Sequence, residues 1–212
     1  MILAAGRGER MKPLTDTMPK PLLKIKGQEL IVYHLKKLAS IGISDIVINH
    51  AWLGDQIVKA LGTGARYGLN IVYSPEPEGA LETAGGIFNA LDKLGQKPFL
   101  VINADIFTDM DFSTLKIAPQ YLAHLVLVKN PEHNQAGDFG LKNNQLILHG
   151  KKFTYSGVGL YRPEFFKGLK PGKSALAPLL TKHIAQNKVS GQIHKGLWSD
   201  VGTIARLRAL DE

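Results

Sequence analysis

Arg10 and Lys20 sit in a segment built to meet negative charge. An apolar run, Met1 to Ala5, breaks into Gly6-Arg7-Gly8-Glu9-Arg10, continues as Met11-Lys12-Pro13-Leu14-Thr15, and reaches Pro19-Lys20-Pro21-Leu22-Leu23. A strand that ends in a glycine-rich turn can bring backbone N–H groups against a phosphate, because glycine has no Cβ to hold the ligand away. Leu3, Ala4, Ala5, Gly6 and Gly8 would supply that backbone, and Arg10 and Lys20 full positive charge beside it. The spacing excludes two common phosphate loops. A Walker A loop needs Gly-Lys followed by Ser or Thr, whereas Gly8 precedes Glu9. A dinucleotide fingerprint needs a third glycine where Met11 stands and a helix running straight on, which Pro13, Pro19 and Pro21 interrupt. The segment is expected to be an extended cationic loop wrapped over a nucleoside triphosphate.

Two aspartates have the contexts of metal ligands. Phe99-Leu100-Val101-Ile102-Asn103-Ala104-Asp105 is a buried-strand pattern that stops at an acid, and ligands of open α/β sheets lie beyond the carboxyl ends of the strands. Asp200, in Leu197-Trp198-Ser199-Asp200-Val201-Gly202-Thr203, likewise follows apolar residues and precedes a glycine turn and a helix. Hard carboxylate oxygens suit Mg²⁺, which takes one or two of them and completes its shell with phosphate oxygen and water. Asn103 projects on the same side of its strand as Asp105 by the period of two, within reach of a ribose or sugar hydroxyl. The alternative for either acid is a helix cap or turn.

The segment LAAGRGERMKPLTDTMPKPLLKI resembles the signature of the sugar-1-phosphate nucleotidyltransferases, G-x-G-x-R, then P-L-T, then P-K, then an apolar strand. That resemblance implies catalytic roles for Arg10, Lys20 and Asp105, and a catalytic Mg²⁺ held jointly by Asp105 and Asp200. It also implies that the base is read in the loop Gly79-Ala80-Leu81-Glu82-Thr83-Ala84-Gly85, with Gly79, Glu82, Thr83 and Gly85 contacting the nucleotide. A glycine-rich backbone can answer a uracil edge with N–H and C=O groups, although L-x-T-A-G also suits guanylyltransferases. For the sugar phosphate, relatives place contacts at positions that here carry Asn103, Asp138, Gly140, Ser156 and Gly157. Ile48 to Gly54 and Ala123 to Val128 leading to Asp138 resemble one subgroup, the uridylyltransferases that act on N-acetylmuramic acid 1-phosphate in peptidoglycan recycling. His50 and Trp52, within the first of these stretches, are expected to pack rather than to face the sugar.

The expected chemistry needs no general base, because a sugar 1-phosphate is already ionised when it attacks the α-phosphorus of UTP and expels pyrophosphate. Catalysis then rests on positioning and on neutralising charge. Readings that compete are GTP with mannose 1-phosphate, UTP with glucose 1-phosphate, and a catalytically silent nucleotide-sugar sensor.

Elements must hold these residues in one place. Runs rich in Val, Ile and Leu alternate with helical patterns, the arrangement of an α/β sheet covered on both faces. Strands are predicted at Met1 to Ala5, Asp45 to Asn49, Asn70 to Tyr73, Phe99 to Asn103, Ala123 to Val128, Gly140 to Lys142 with Gln145 to Leu148, and Tyr155 to Tyr161. Helices are predicted at Glu29 to Ile41, Gly54 to Leu61, Glu82 to Leu91, Ala175 to Asn187 and Thr203 to Leu210. The strands after Val128 read as antiparallel, with Lys142-Asn143-Asn144-Gln145 as a turn. The fold expected is α/β, Rossmann-like and three-layered (αβα), with a mixed, mostly parallel central sheet and no C-terminal β-helix. It forms one nucleotidyltransferase domain over 1–212, with a nucleotide-binding half (1–110) and a sugar-phosphate-binding half (111–212).

Composition bounds the partners. Of 212 residues none is Cys, which excludes disulfides, thiolate metal sites and cysteine nucleophiles. The net charge of +8 comes from scattered lysines and arginines without the interleaved aromatics of RNA-binding modules, so it points to a polyanionic small substrate and not to nucleic acid. No apolar stretch approaches a membrane span and no signal peptide precedes the first strand, so a cytoplasmic protein, monomer or homodimer, is expected.

Overall fold

The computed structural model describes residues 1–77 and 79–212. In chain order the elements are β1 (Ile2–Leu3), α1 (Leu14–Thr17), β2 (Lys24–Ile25), β3 (Gln28–Glu29), α2 (Leu30–Ser40), β4 (Asp45–His50), α3 (Gly54–Leu61), β5 (Asn70–Pro75), α4 (Glu82–Asn89), α5 (Leu91–Leu94) and β6 (Phe99–Asn103). Then follow β7 (Ile106–Thr108), β8 (Ala123–Val128), β9 (Phe139–Lys142), β10 (Gln145–Ile147), β11 (Lys152–Tyr161), α6 (Leu176–Ala185), β12 (Val189–Ile193), β13 (Trp198–Asp200) and α7 (Ile204–Asp211). Among the described residues no helix is long and apolar enough to cross a membrane.

A nine-stranded sheet in the order β5-β4-β1-β6-β11-β8-β12-β10-β9 forms the middle layer. Side chains alternate across it as the period of two requires. Ile46, Ile48, Leu100 and Ile102 face Ile31, Leu35 and Ile57 of α2 and α3. Val47, Phe99, Val101, Leu125 and Leu127 face Ile87, Leu180 and Ile184 of α4 and α6. Both faces are therefore apolar, and both are covered by helices, which gives the three layers.

The sheet is mixed, but less parallel than the first half implies. The neighbouring pairs divide evenly among the described residues: four parallel (β5-β4, β4-β1, β1-β6, β8-β12) and four antiparallel. Of the antiparallel pairs β9-β10 is a hairpin, turning at Asn143 and Asn144, both with positive φ, while β11 runs antiparallel to both β6 and β8. β12 escaped the sequence reading, because Val189-Ser190-Gly191-Gln192-Ile193 is short and half polar; it lies parallel to β8. Two small ribbons also went unread: β2 with β3, and β7 with β13.

A third apolar cluster ties the chain ends together. Met11, Leu23, Ile25, Leu30 and Val201 are buried in one group, flanked by Phe107, Leu207 and Leu210. It anchors the N-terminal loop against β13 and α7.

Candidate active site

The parallel register sets the floor of the site. Leu3 on β1 lies level with Asn49 on β4 and with Asn103 on β6, so three strands end in one row. Beyond that row opens a cleft of about 340 Å³. Its lining contains Leu3, Ala4, Ala5, Gly6, Gly8, Arg10 and Lys20 from the N-terminal segment. Glu82 and Thr83 from the start of α4, and Asn103 and Asp105 from the end of β6, complete the residues expected there.

The N-terminal loop is pinned from several sides. Arg7 donates to the Thr15 carbonyl at 2.8 Å and pairs with Asp16, while its guanidinium lies 3.8 Å over the Trp52 ring. The Trp52 indole N–H donates to the same Thr15 carbonyl at 3.0 Å, and the Thr15 hydroxyl donates to the Gly8 carbonyl at 2.9 Å. Gly8 has φ +72, and a Cβ there would lie 2.9 Å from the Thr15 methyl, so the turn needs glycine. Trp52 therefore packs, as expected, and what it packs is the N-terminal loop. His50 stands edge-on to Tyr73.

Two ion pairs hold acids at the cleft and its edge. The Lys20 ammonium, with a side chain only 10% exposed, forms an ion pair with Asp105. Asp200 pairs with Arg206 and lies 3.1 Å from His133 Nε2. The two acids are neighbours in space: Asp200 is level with Ile106 across the β7-β13 ribbon, and the Val201 N–H donates to the Asp105 carbonyl at 2.7 Å. Asp200 itself stands just outside the cleft lining, and Gly202, two residues on, is part of it. Among the described residues no group of three or more His, Asp or Glu is gathered to hold a metal unaided. Two carboxylates on joined backbone segments nevertheless fit Mg²⁺, whose remaining positions substrate oxygen and water fill.

Asn49 and Glu76 were not read from the sequence as site residues. Asn49, 3% exposed, accepts from the Ala4 N–H at 2.9 Å and donates to Glu76 Oε1 at 2.6 Å, and Glu76 Oε2 accepts from the Leu81 N–H at 2.7 Å. This chain of bonds ties the N-terminal loop to the loop before α4. The signal was faint: Asn at a strand end and Glu between two prolines both read as ordinary loop residues.

Other expected residues lie off the cleft. Gly85 donates its N–H to the Ser174 carbonyl at 3.0 Å, and a Cβ there would strike the Gly172 carbonyl, so it serves the packing of α4. Gly79 has φ +89 and stands beside Lys173. Ser156, 1% exposed, has its hydroxyl taken by the Val158 N–H at 3.2 Å. Asp138 accepts from the Tyr155 N–H at 2.8 Å and from Asn134, and Gly140 is crowded by the His149 carbonyl. Gly157, φ +81, lies against the Asn103 side chain, where a Cβ would be 2.7 Å from Nδ2. None of these residues lines the 340 Å³ cleft, and of them Gly157 reaches one of its lining residues, Asn103.

The model of the family described as "Nucleotidyl transferase" matches residues 1–145, which include the whole of the cleft's first-half lining. The chain belongs to that family. It is 56% identical to the N-acetylmuramate alpha-1-phosphate uridylyltransferase of Neisseria meningitidis serogroup B, over 98% of this chain and 94% of the relative. A protein of the same description from Caulobacter vibrioides is 32% identical, over 95% and 90%. Among solved structures, HddC from Yersinia pseudotuberculosis superposes with a TM-score of 0.78 at 20% identity, covering 99% of this chain and 96% of that one, a likeness of fold. This nucleotidyltransferase thus shares its three-layer architecture with distant structures and most of its residues with a uridylyltransferase.

Proposed function

We propose that this nucleotidyltransferase joins UTP and N-acetylmuramic acid 1-phosphate to give UDP-N-acetylmuramic acid and pyrophosphate, a step of peptidoglycan recycling in the cytoplasm. The observation that carries the reading is the 56% identity, over almost the full length of both chains, to a uridylyltransferase so described. The cleft supports it, because Arg10, Lys20 and Asp105 converge where a triphosphate would lie.

In the proposed reaction a phosphate oxygen of the sugar attacks the α-phosphorus in line; that P–O bond forms as the bond to the bridging oxygen of the β-phosphate breaks. Backbone N–H groups from Leu3 to Gly8 hold phosphate oxygens, and Arg10 and Lys20 offset the charge that gathers on pyrophosphate. Asn103 bonds a hydroxyl of ribose or sugar, and the backbone at Ala80, Glu82 and Thr83, which line the cleft, frames the base. Asp105 and Asp200 would hold Mg²⁺, which would supply positive charge to offset that of the phosphates. The first half carries the nucleotide and the second the sugar phosphate, within one domain.

A panel of UTP, GTP and dTTP against N-acetylmuramic acid, mannose and glucose 1-phosphates, followed by pyrophosphate release with and without Mg²⁺, tests this. Fastest turnover for UTP with the muramic acid derivative is expected. Fastest turnover for GTP with mannose 1-phosphate would overturn the substrate assignment, and nucleotide binding without pyrophosphate release would mean a sensor.

A further inference from the structure

Arg206 has no part in the reaction as described. It stands on the first turn of α7, where its Nε donates to the Thr203 hydroxyl at 3.3 Å and its Nη1 pairs with Asp200. These bonds engage Nε and Nη1. Nη2 lies instead at the rim of the cleft: a Cβ on Gly202 would be 2.6 Å from it and 3.1 Å from Arg10 Nη2. Two guanidinium groups therefore approach one point above a residue that lines the cleft.

Charge is unevenly shared there. A single carboxylate, Asp200, serves both Arg206 and His133, at the junction of α7 with the loop that leads from β8 to β9. A divalent ion on Asp200 would leave the Arg206 guanidinium without a counter-charge, with the His133 ring 3.0 Å from its Nη1. The phosphates of the two substrates already have Arg10, Lys20 and the backbone of the N-terminal loop. The sugar acid carries one further charge, the carboxylate of its lactyl ether, and guanidinium binds carboxylate through short charge-assisted hydrogen bonds.

We propose that Arg206, with His133 beside it, binds the carboxylate of the acceptor and sets the preference for a sugar-acid 1-phosphate over one without the acid. The inference rests on the acceptor named above. UDP-N-acetylmuramic acid and UDP-N-acetylglucosamine differ only in the lactyl ether, so calorimetric titration of both into the wild type, Arg206→Gln, Arg206→Lys and His133→Gln isolates the carboxylate. The ratio of the two dissociation constants is the readout, because a role confined to holding Asp200 alters both affinities alike.

The wild type is expected to bind the muramic acid derivative at least tenfold more tightly, Arg206→Gln to bring the ratio within about threefold of one, and Arg206→Lys and His133→Gln to fall between. A ratio that survives Arg206→Gln overturns the proposal, and so does an equal weakening of both ligands, which would assign Arg206 to Asp200 or to the phosphates. A wild type without preference overturns it too. Turnover of N-acetylmuramic acid 1-phosphate in the panel above then tells whether the acceptor assignment falls with it.

Discussion

The Val201 N–H and the Asp105 carbonyl meet at 2.7 Å, and that bond brings two acids from distant parts of the sequence to one edge of the cleft. β7 and β13 are only three residues each, so the ribbon is short, but Val201 is fully buried with Met11 beside it. The acids are fixed relative to each other and to the N-terminal loop by the same packing.

Asp105→Asn and Asp200→Asn should each lower turnover at least about a hundredfold, since removing one preorganised charge partner commonly costs about 3 to 4 kcal/mol of transition-state stabilisation. Asp105→Asn also leaves Lys20 nearly buried without its counter-ion, so thermal unfolding should show a loss of stability that Asp105→Asn combined with Lys20→Met recovers without restoring turnover. Near-normal turnover in both single variants would remove the acids from the mechanism.

Trp52 should act on the nucleotide without touching it. Trp52→Phe keeps a face for Arg7 but loses the bond to Thr15, and Trp52→Ala loses both. The expected result is a KM for UTP that rises about fivefold in the first and more in the second, with the KM for the sugar phosphate moving less, on the scale of about 1 kcal/mol per hydrogen bond. Equal rises in both KM values would point to a general loss of structure.

Glu76 bridges Asn49 and the Leu81 N–H with its two carboxylate oxygens, and Gln offers only one acceptor. Glu76→Gln should weaken UTP binding several-fold in direct titration. Asn49→Ala, which strands the buried Ala4 N–H, should cost about 1 to 3 kcal/mol of folding stability in urea unfolding. Unchanged unfolding in Asn49→Ala would show that water replaces the side chain there.

His34 gives stability a pH dependence. It is 2% exposed on α2, neither ring nitrogen makes a hydrogen bond of ordinary geometry, and burial, opposed by the Ile106 backbone, pulls its pKa down to about 4. The folded state then resists protonation that the unfolded state accepts near pH 6.5. Stability from this residue is complete above that pH, falls as pH drops toward 4, and levels below, a loss on the order of 3 kcal/mol. Urea unfolding between pH 7 and 4 should lose that part of its slope in His34→Leu; an identical slope in the variant would assign the dependence to other groups.

Local patterns in the sequence were enough for the parts of the fold that depend on local periods. β6 and β8 lie where the apolar runs put them, and α3 spans the predicted residues, because alternation and 3.6-residue repeats are written within each segment. Glycine and proline spacing likewise showed that no long helix follows β1, since those residues restrict the backbone wherever they stand, but the loop is not extended throughout: it holds short helical turns at Glu9–Met11, Leu14–Thr17 and Lys20–Leu22. β12 and β13 were hidden, because strands of three to five mixed residues acquire their identity from the strand beside them.

The site divides along the same line. Residue types named Arg10, Lys20, Asp105 and Asp200 as the charged groups, but only tertiary contact pairs Lys20 with Asp105, sets Arg206 against Asp200, and joins Asn49 to Glu76. Which cation faces which anion is decided by the order and register of strands far apart in the chain, and by the packing of Met11 on Val201. Short-range spacing carries none of that information, because Coulomb energy and hydrogen bonding depend on distance in space and not on position along the chain.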